Sequence, residues 1–198
     1  SEKVAMFSET IGRLIDAGYI YVGMDHFALA DDSLAQALTN GGLQRNFQGY
    51  STHAGCDIIG LGVSAISNVN DSYCQNTKSI STYKEKLKKH TLPIEKGISL
   101  NEDDQIRAEV IQRLMCDGIV DYNKLGEQYD IHFPYYFHDE LLSLEQFASD
   151  DLIKFSQSGF SVTERGRFFL RNIAMAFDVY LPKISLRTVS QSSYSKTL

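Results

Sequence analysis

The sequence predicts an α/β unit followed by a small, mostly helical domain, and three observations carry that expectation. Residues 1–70 alternate helix-like and strand-like apolar patterns in the order helix, strand, helix, strand. Residues 71–99 are polar and lysine-rich. From residue 100 the pattern turns to short helices with one strand pair near the end.

The run VAMFSETIGRLIDAGY sets apolar side chains at Val4, Phe7, Ile11, Leu14 and Ile15, a helical spacing that Gly18 ends. YIYVG at 19–23 is β-branched and aromatic with no polar alternation, as in a strand covered on both faces. A short helix follows, capped by Asp31 or Asp32 and closed by Gly41 and Gly42. RNFQGYSTHAG reads as a polar, aromatic loop, and DIIGLGVSAIS as a second buried strand over 58–66, parallel to the first. Two strands cannot form a parallel sheet covered on both faces, so residues 1–70 read as a piece of a larger α/β architecture. Such a piece leaves an exposed strand edge through which two copies of the chain could pair.

Residues 71–99 read as a connector with one exposed helix near 79–90, where Lys84, Lys86, Lys88 and Lys89 suit a solvated face. Pro93 marks the passage onward. LNEDDQIRAEVIQRLMCDG opens with an acidic first turn suited to the helix dipole. Its apolar positions are Ile106, Val110, Ile111 and Leu114. DYNKLGEQYD and FPYYFHDELLSLEQFASDD are two further helices, LIKFSQSGFSVT is a strand pair turning near Gly159, and TERGRFFLRNIAMAFDVYL is a last helix. Three helices, a hairpin and a helix is a winged-helix order. The serine-rich end, 184–198, is expected to be a flexible tail.

Charge and cysteine usage narrow the function classes. The net charge is −6, and residues 100–183 hold fifteen Asp/Glu against eight Lys/Arg. That balance opposes a nucleic-acid partner, because phosphate binding needs a basic footprint. The would-be recognition segment carries Asp139, Glu140, Glu145, Asp150 and Asp151 with no Lys or Arg. No apolar run suits a membrane span, and the first residues are too polar for a signal peptide, so the expectation is a cytoplasmic protein. Cys56, Cys74 and Cys116 are odd in number and widely spaced, which fits neither a disulfide framework nor local metal-ligand spacing. No metal ligands are expected in this chain.

Three blocks in order, GMDHFA at 23–28, RNFQGYST at 45–52 and LGVSAIS at 61–67, resemble the oxygen-independent coproporphyrinogen III oxidase family. The resemblance continues through QN at 75–76, DD-x-I-R at 103–107, VIQRLMC at 110–116 and VTERGRFFLRNIAMAFD at 162–178. A related radical S-adenosylmethionine family, the haem chaperones, has E-x-S-N-F/Y-A and H-N-x-x-Y-W at the corresponding places. This chain has neither and contains no tryptophan. Many family members carry His where this chain has Gln44, which leaves Gln44 without an expected role.

The resemblance implies the last strands and helices of a partial β/α barrel at 1–75, a connector at 76–99, and a winged-helix-like domain at 100–183. It implies decarboxylation of two propionates of coproporphyrinogen III to vinyl groups, for haem biosynthesis. The cofactors would be S-adenosylmethionine and a [4Fe–4S] cluster bound by C-x-x-x-C-x-x-C. That motif is absent from this sequence, so the chain alone is expected to be inactive, with no catalytic residue of its own. The parent is expected to be monomeric, and its electron donor and acceptor are left open. Phe47, Gln48 and Ile66 match cofactor-side positions of the family. The alternatives are a loop anchor for Phe47, a solvated amide for Gln48 and a core side chain for Ile66. Arg45 could bind a propionate bidentately, or pair with Asp57. Asp25 and His26 read as structural, and Arg165, Arg167 and Arg171 as a salt-bridge set. The competing classes are a winged-helix binding module and a scaffold without ligand.

Overall fold

The computed structural model describes residues 2–181; the expected tail lies outside the described residues. The architecture is mixed α/β, with four small open sheets and a helical region. Every strand pair among the described residues is antiparallel. No helix among them is long and apolar enough to cross a membrane.

Helix α1 (Glu2–Asp16) leads into β1 (Tyr19–Gly23), which turns back on β2 (His26–Leu29) as a hairpin. The parallel pairing expected for 19–23 is therefore replaced by a local antiparallel one. Met24 takes the left-handed conformation (φ 57°) that closes the turn. Helix α2 (Ser33–Asn40) is capped by Asp32, whose carboxylate accepts from the Leu34 N–H at 2.8 Å. A second hairpin, β3 (Gln44–Asn46) and β4 (Gly49–Ser51), occupies the segment that read as a loop. Strands β5 (Ile66–Val69), β6 (Ser72–Asn76) and β7 (Ile94–Ser99) form a meander, with helix α3 (Ile80–Lys88) inserted before β7.

The stretch 58–66 is not a strand. It forms only an isolated bridge between Ile58 and Asn68 before β5 begins at Ile66. Gly62 (φ 105°) and Ser64 (φ 58°) break the extended path. Polar partners take the place of a sheet neighbour. Asn76 Nδ2 donates to the carbonyls of Gly60 (3.1 Å) and Gly62 (2.9 Å), and the Gly60 N–H donates to Ser67 Oγ at 2.9 Å. Ile59 and Leu61 are 74% and 86% exposed, so the apolar run faces outward.

Helix α4 (Glu102–Asp117) has a capping box between Asn101 and Asp104 and a left-handed Gly118 at its end. Then follow β8 (Ile119–Asp121), α5 (Tyr122–Tyr129), α6 (Phe133–Tyr136), α7 (His138–Ser143) and α8 (Glu145–Ser149). The hairpin β9 (Ile153–Ser156) and β10 (Gly159–Val162) places β10 between β8 and β9. The expected last helix is shorter and broken: α9 (Leu170–Ala174) lies between single 3-10 turns at Gly166–Phe169 and Met175–Phe177.

Two apolar cores result. The larger gathers Val110, Leu114, Phe133, Phe137, Leu144, Ile173 and Phe177, all from beyond residue 100. The smaller joins Val22, Ala28, Ala35, Leu43 and Tyr50 to Cys116 of α4. Helix α4 thus contributes to both.

Candidate functional site

The hairpin β3–β4 carries three of the four residues singled out by sequence. Its register pairs Gln44 with Ser51, Arg45 with Tyr50 and Asn46 with Gly49, so Phe47 and Gln48 are the two turn residues. Asn46 Oδ1 accepts from the Gln48 N–H at 2.8 Å and fixes the turn. Gly49 follows at φ 137°, and a Cβ there would meet His26 Nε2 at 2.6 Å. Glycine is required twice over, by its backbone angle and by the imidazole.

Phe47 is 59% exposed and meets Tyr73 of β6 at a perpendicular ring contact of 5.3 Å. Tyr73 pairs with Asn68, and Ile66 pairs with Gln75 two residues on, so Ile66 and Tyr73 share one face of the sheet. The turn therefore leans on the face that carries Ile66. Sequence alone placed Ile66 at a strand's carboxyl end, but it stands at the amino end of β5.

Arg45 packs its guanidinium over the Tyr50 ring, 5.3 Å from the centroid. Its Nε is buried without a hydrogen-bond partner. The alternative pairing with Asp57 is not present: Asp57 Oδ1 accepts from the Asn70 N–H at 2.9 Å instead. Tyr50 is buried, and its hydroxyl donates to the Met115 carbonyl of α4 at 2.8 Å. Burial pushes the Tyr50 phenol up to about 12, so it stays a neutral donor. His26 stands edge-on to Tyr50, with centroids 5.1 Å apart, and its Nδ1 lies 2.9 Å from Asp25 Oδ1. That contact lacks hydrogen-bond geometry, since Nδ1 is buried without a bonded partner. Asp25 sits in the β1–β2 turn and caps no helix.

Gln44, left without a role by sequence, meets the side-chain amide of Gln112 of α4 at 2.7 Å. Sequence reasoning missed Gln112 altogether. Gly49 was the available signal for the hairpin, since glycine two residues beyond Phe47 marks a turn.

Among the described residues no group of three or more His, Cys, Asp or Glu could hold a metal ion. Cys116 is buried and its thiol is pushed up to about 12 by that burial, the reverse of what a metal-bound thiolate needs. The described residues do not fit an iron–sulfur cluster. A cleft in the helical region is lined by Glu102, Asp103, Ile106, Tyr129, Asp130 and Tyr136. Its carboxylates do not suit an anionic ligand, and none of the sequence-predicted site residues lines it.

A family model described as HemN C-terminal domain matches residues 100–169. An oxygen-independent coproporphyrinogen III oxidase of Pseudomonas aeruginosa is 44% identical over 190 residues, covering 96% of this chain and 41% of that protein. The Escherichia coli oxidase of that name is 43% identical over 180 residues, with 91% and 39% covered. One from Helicobacter pylori is 38% identical over 197 residues, with 100% and 42% covered. Among solved structures, the Escherichia coli coproporphyrinogen III oxidase (HemN), described as a radical SAM enzyme, has a TM-score of 0.86 and 43% identity. That match covers 90% of this chain and 41% of the solved chain. The chain spans about two fifths of the length of these relatives.

Proposed function

Since the chain matches the carboxy-terminal region of the oxygen-independent coproporphyrinogen III oxidase family, we propose that it serves as that region of such an oxidase. The parent would decarboxylate two propionates of coproporphyrinogen III in the cytoplasm. The observation that carries this reading is the combined likeness to the solved radical SAM oxidase, 43% identity with a TM-score of 0.86 across 90% of the chain. In this reading residues 1–75 complete a partial β/α barrel, 76–99 connect, and 100–183 form a winged-helix-like unit. The order α4, β8, α5, α6–α8, β9 and β10, with β8 as third strand of the wing sheet, supports the last assignment.

S-adenosylmethionine, when bound and cleaved by one-electron reduction, would supply the radical that removes a propionate hydrogen. The chain's own residues hold and enclose. The mostly free ring of Phe47 can cover an adenine or pyrrole face. The exposed side-chain amide of Gln48 makes no hydrogen bond among the described residues and offers a donor and an acceptor together. Ile66 supplies a flat apolar wall beside Tyr73 and helps exclude water. Arg45, free of a carboxylate partner, is the candidate for a propionate. The cluster ligands would lie outside this chain.

A winged-helix nucleic-acid module is the rival reading, favoured by the element order alone. The carboxylates of α7 and α8, Asp139, Glu140 and Glu145, oppose it electrostatically.

The test is made in the cluster-bearing oxidase. Phe47→Ala, Gln48→Ala and Ile66→Asp should each lower decarboxylation by about a hundredfold with cluster content unchanged, because radical abstraction tolerates little displacement. Unaltered rates in all three would sink the assignment. This chain alone, reconstituted anaerobically with iron and sulfide, should show no cluster absorbance.

A further inference from the structure

Strand β3 has β4 on one side and no strand on the other. In a hairpin with a two-residue turn, Asn46 and Gly49 form the closing hydrogen-bonded pair. The N–H and C=O of Arg45, in the next pair, therefore point away from β4. Half-buried backbone groups need partners. A side chain from the helical region supplies them. With the Gln112 amide oriented to satisfy its neighbours, its nitrogen donates to the Arg45 carbonyl at 3.0 Å and its oxygen accepts from the Arg45 N–H at 2.7 Å. With its own amide turned likewise, Gln44 donates its side-chain N–H to the same oxygen at 2.7 Å. Gln112 thus closes the edge of β3 as a neighbouring strand would.

The helix that delivers this amide is firmly held. Its capping box and Gly118 close both ends, and Val110 and Leu114 are completely buried. One turn along the same face, Met115 accepts the Tyr50 hydroxyl, and Cys116 packs in the core beside Tyr50. Two points of the hairpin, one on each strand, are bonded to one helix face. Only an amide offers a donor and an acceptor at the spacing of a peptide's own groups: glutamate lacks the donor and leucine lacks both.

We propose that Gln112 is a positioning residue, fixing β3 from α4 and so setting how the turn presents Phe47 and Gln48. That this turn serves the cofactor rests on the reading above; the attachment itself does not. Helix α4 is then the means by which the helical region acts on the site without touching a ligand.

Amide hydrogen exchange on the whole 198-residue chain tests the attachment. In Gln112→Ala and Gln112→Leu, the backbone N–H groups of Arg45 and Gln48, bonded to Gln112 and Asn46, should exchange about tenfold faster, the scale expected when two hydrogen bonds are lost. Those of β8 and β10 should not change. Leucine preserves the bulk, so protection retained in Gln112→Leu would show that packing alone holds the hairpin and overturn the proposal. Unchanged exchange in both variants would overturn it as well. In the cluster-bearing oxidase, Gln112→Leu should raise KM for S-adenosylmethionine several-fold at constant cluster content. Faster exchange with an unmoved KM would leave the attachment standing and remove the cofactor from the turn.

Discussion

Tyr50 is held from three directions: the Met115 carbonyl takes its hydroxyl, Arg45 lies over its ring and His26 stands at its edge. Gly23 is bare of a side chain where the Tyr50 hydroxyl presses against β1. Tyr50→Phe strands the Met115 carbonyl in a buried site and should cost about 1–2 kcal/mol in chemical denaturation. Gly49→Ala should cost more than about 1 kcal/mol, since alanine meets both a disfavoured φ and the His26 ring. Arg107 makes a different kind of contact. It bonds Asp103 at 2.7 Å and Glu140 at 2.8 Å and covers Phe137, tying α4 to α7. Burial works to raise the Asp103 carboxyl, but hydrogen bonds from Arg107 and Tyr136 outweigh it and hold the pKa low. A depressed folded pKa gives stability that is present at neutral pH and lost as pH falls through the folded value. Denaturation midpoints should therefore fall below about pH 4, and Arg107→Ala should flatten that acid limb while lowering stability at pH 7. An acid limb equally steep in the variant would remove Asp103 as its source. Of these contacts the Asp103–Arg107 pair, four residues apart on α4, had a local signature. Gly49 and the aromatic pair around it were visible in sequence, but the partners of Tyr50 and Gln44 on α4 lie more than sixty residues away in the chain.

At the scale of elements, helices were legible where caps and periodicity agreed. Asp32, Ser79 and Asn101 each cap a helix, and Gly118 closes α4. The strands were less so. YIYVG does form a strand, but an apolar run carries no information about the direction of its partner, and the Met24 turn lacks the Asn-Gly or Asp-Gly signal of a tight hairpin. The run 58–66 misled for a physical reason: periodicity presumes that apolar means buried, whereas here Ile59 and Leu61 face outward. What shapes it is Asn76, a buried polar residue on β6 whose amide bonds two of its carbonyls. The prediction belongs to that element. Asn76→Ala should open residues 58–66 to limited proteolysis and raise their hydrogen exchange, with β8–β10 untouched. An unchanged cleavage pattern would mean that the remaining bonds, such as the Ser64 N–H to the Thr77 carbonyl at 2.9 Å, suffice. The turn Phe47–Gln48 and the β5 face with Ile66 meet through Tyr73, a residue that sequence did not single out.

Over the whole molecule the two parts of the chain are unequal partners. Every fully buried member of the larger core comes from residues 106–177, so the helical region carries its own interior. The smaller core borrows Cys116 from α4. It also depends on the Tyr50 bond to Met115 and on the Gln112 amide at β3. A fourth tie is Phe168, which stacks on Tyr21 at 5.7 Å and meets Phe7 of α1 edge-on at 6.1 Å. All four ties cost the first part its support if the second is removed, whereas every buried member of the larger core lies within the second. A core of six buried residues, one of them borrowed, is small for the entropy of ordering about a hundred residues. The fragment 100–198 should therefore unfold in one cooperative transition with a dispersed amide spectrum. The fragment 1–99 should give a collapsed or unfolded spectrum and gain structure only when 100–198 is added in trans. Circular dichroism and amide spectra of the two fragments, alone and mixed, make the measurement. A cooperatively folded 1–99 fragment, indifferent to its partner, would show that α4 is a neighbour of the site and not its support.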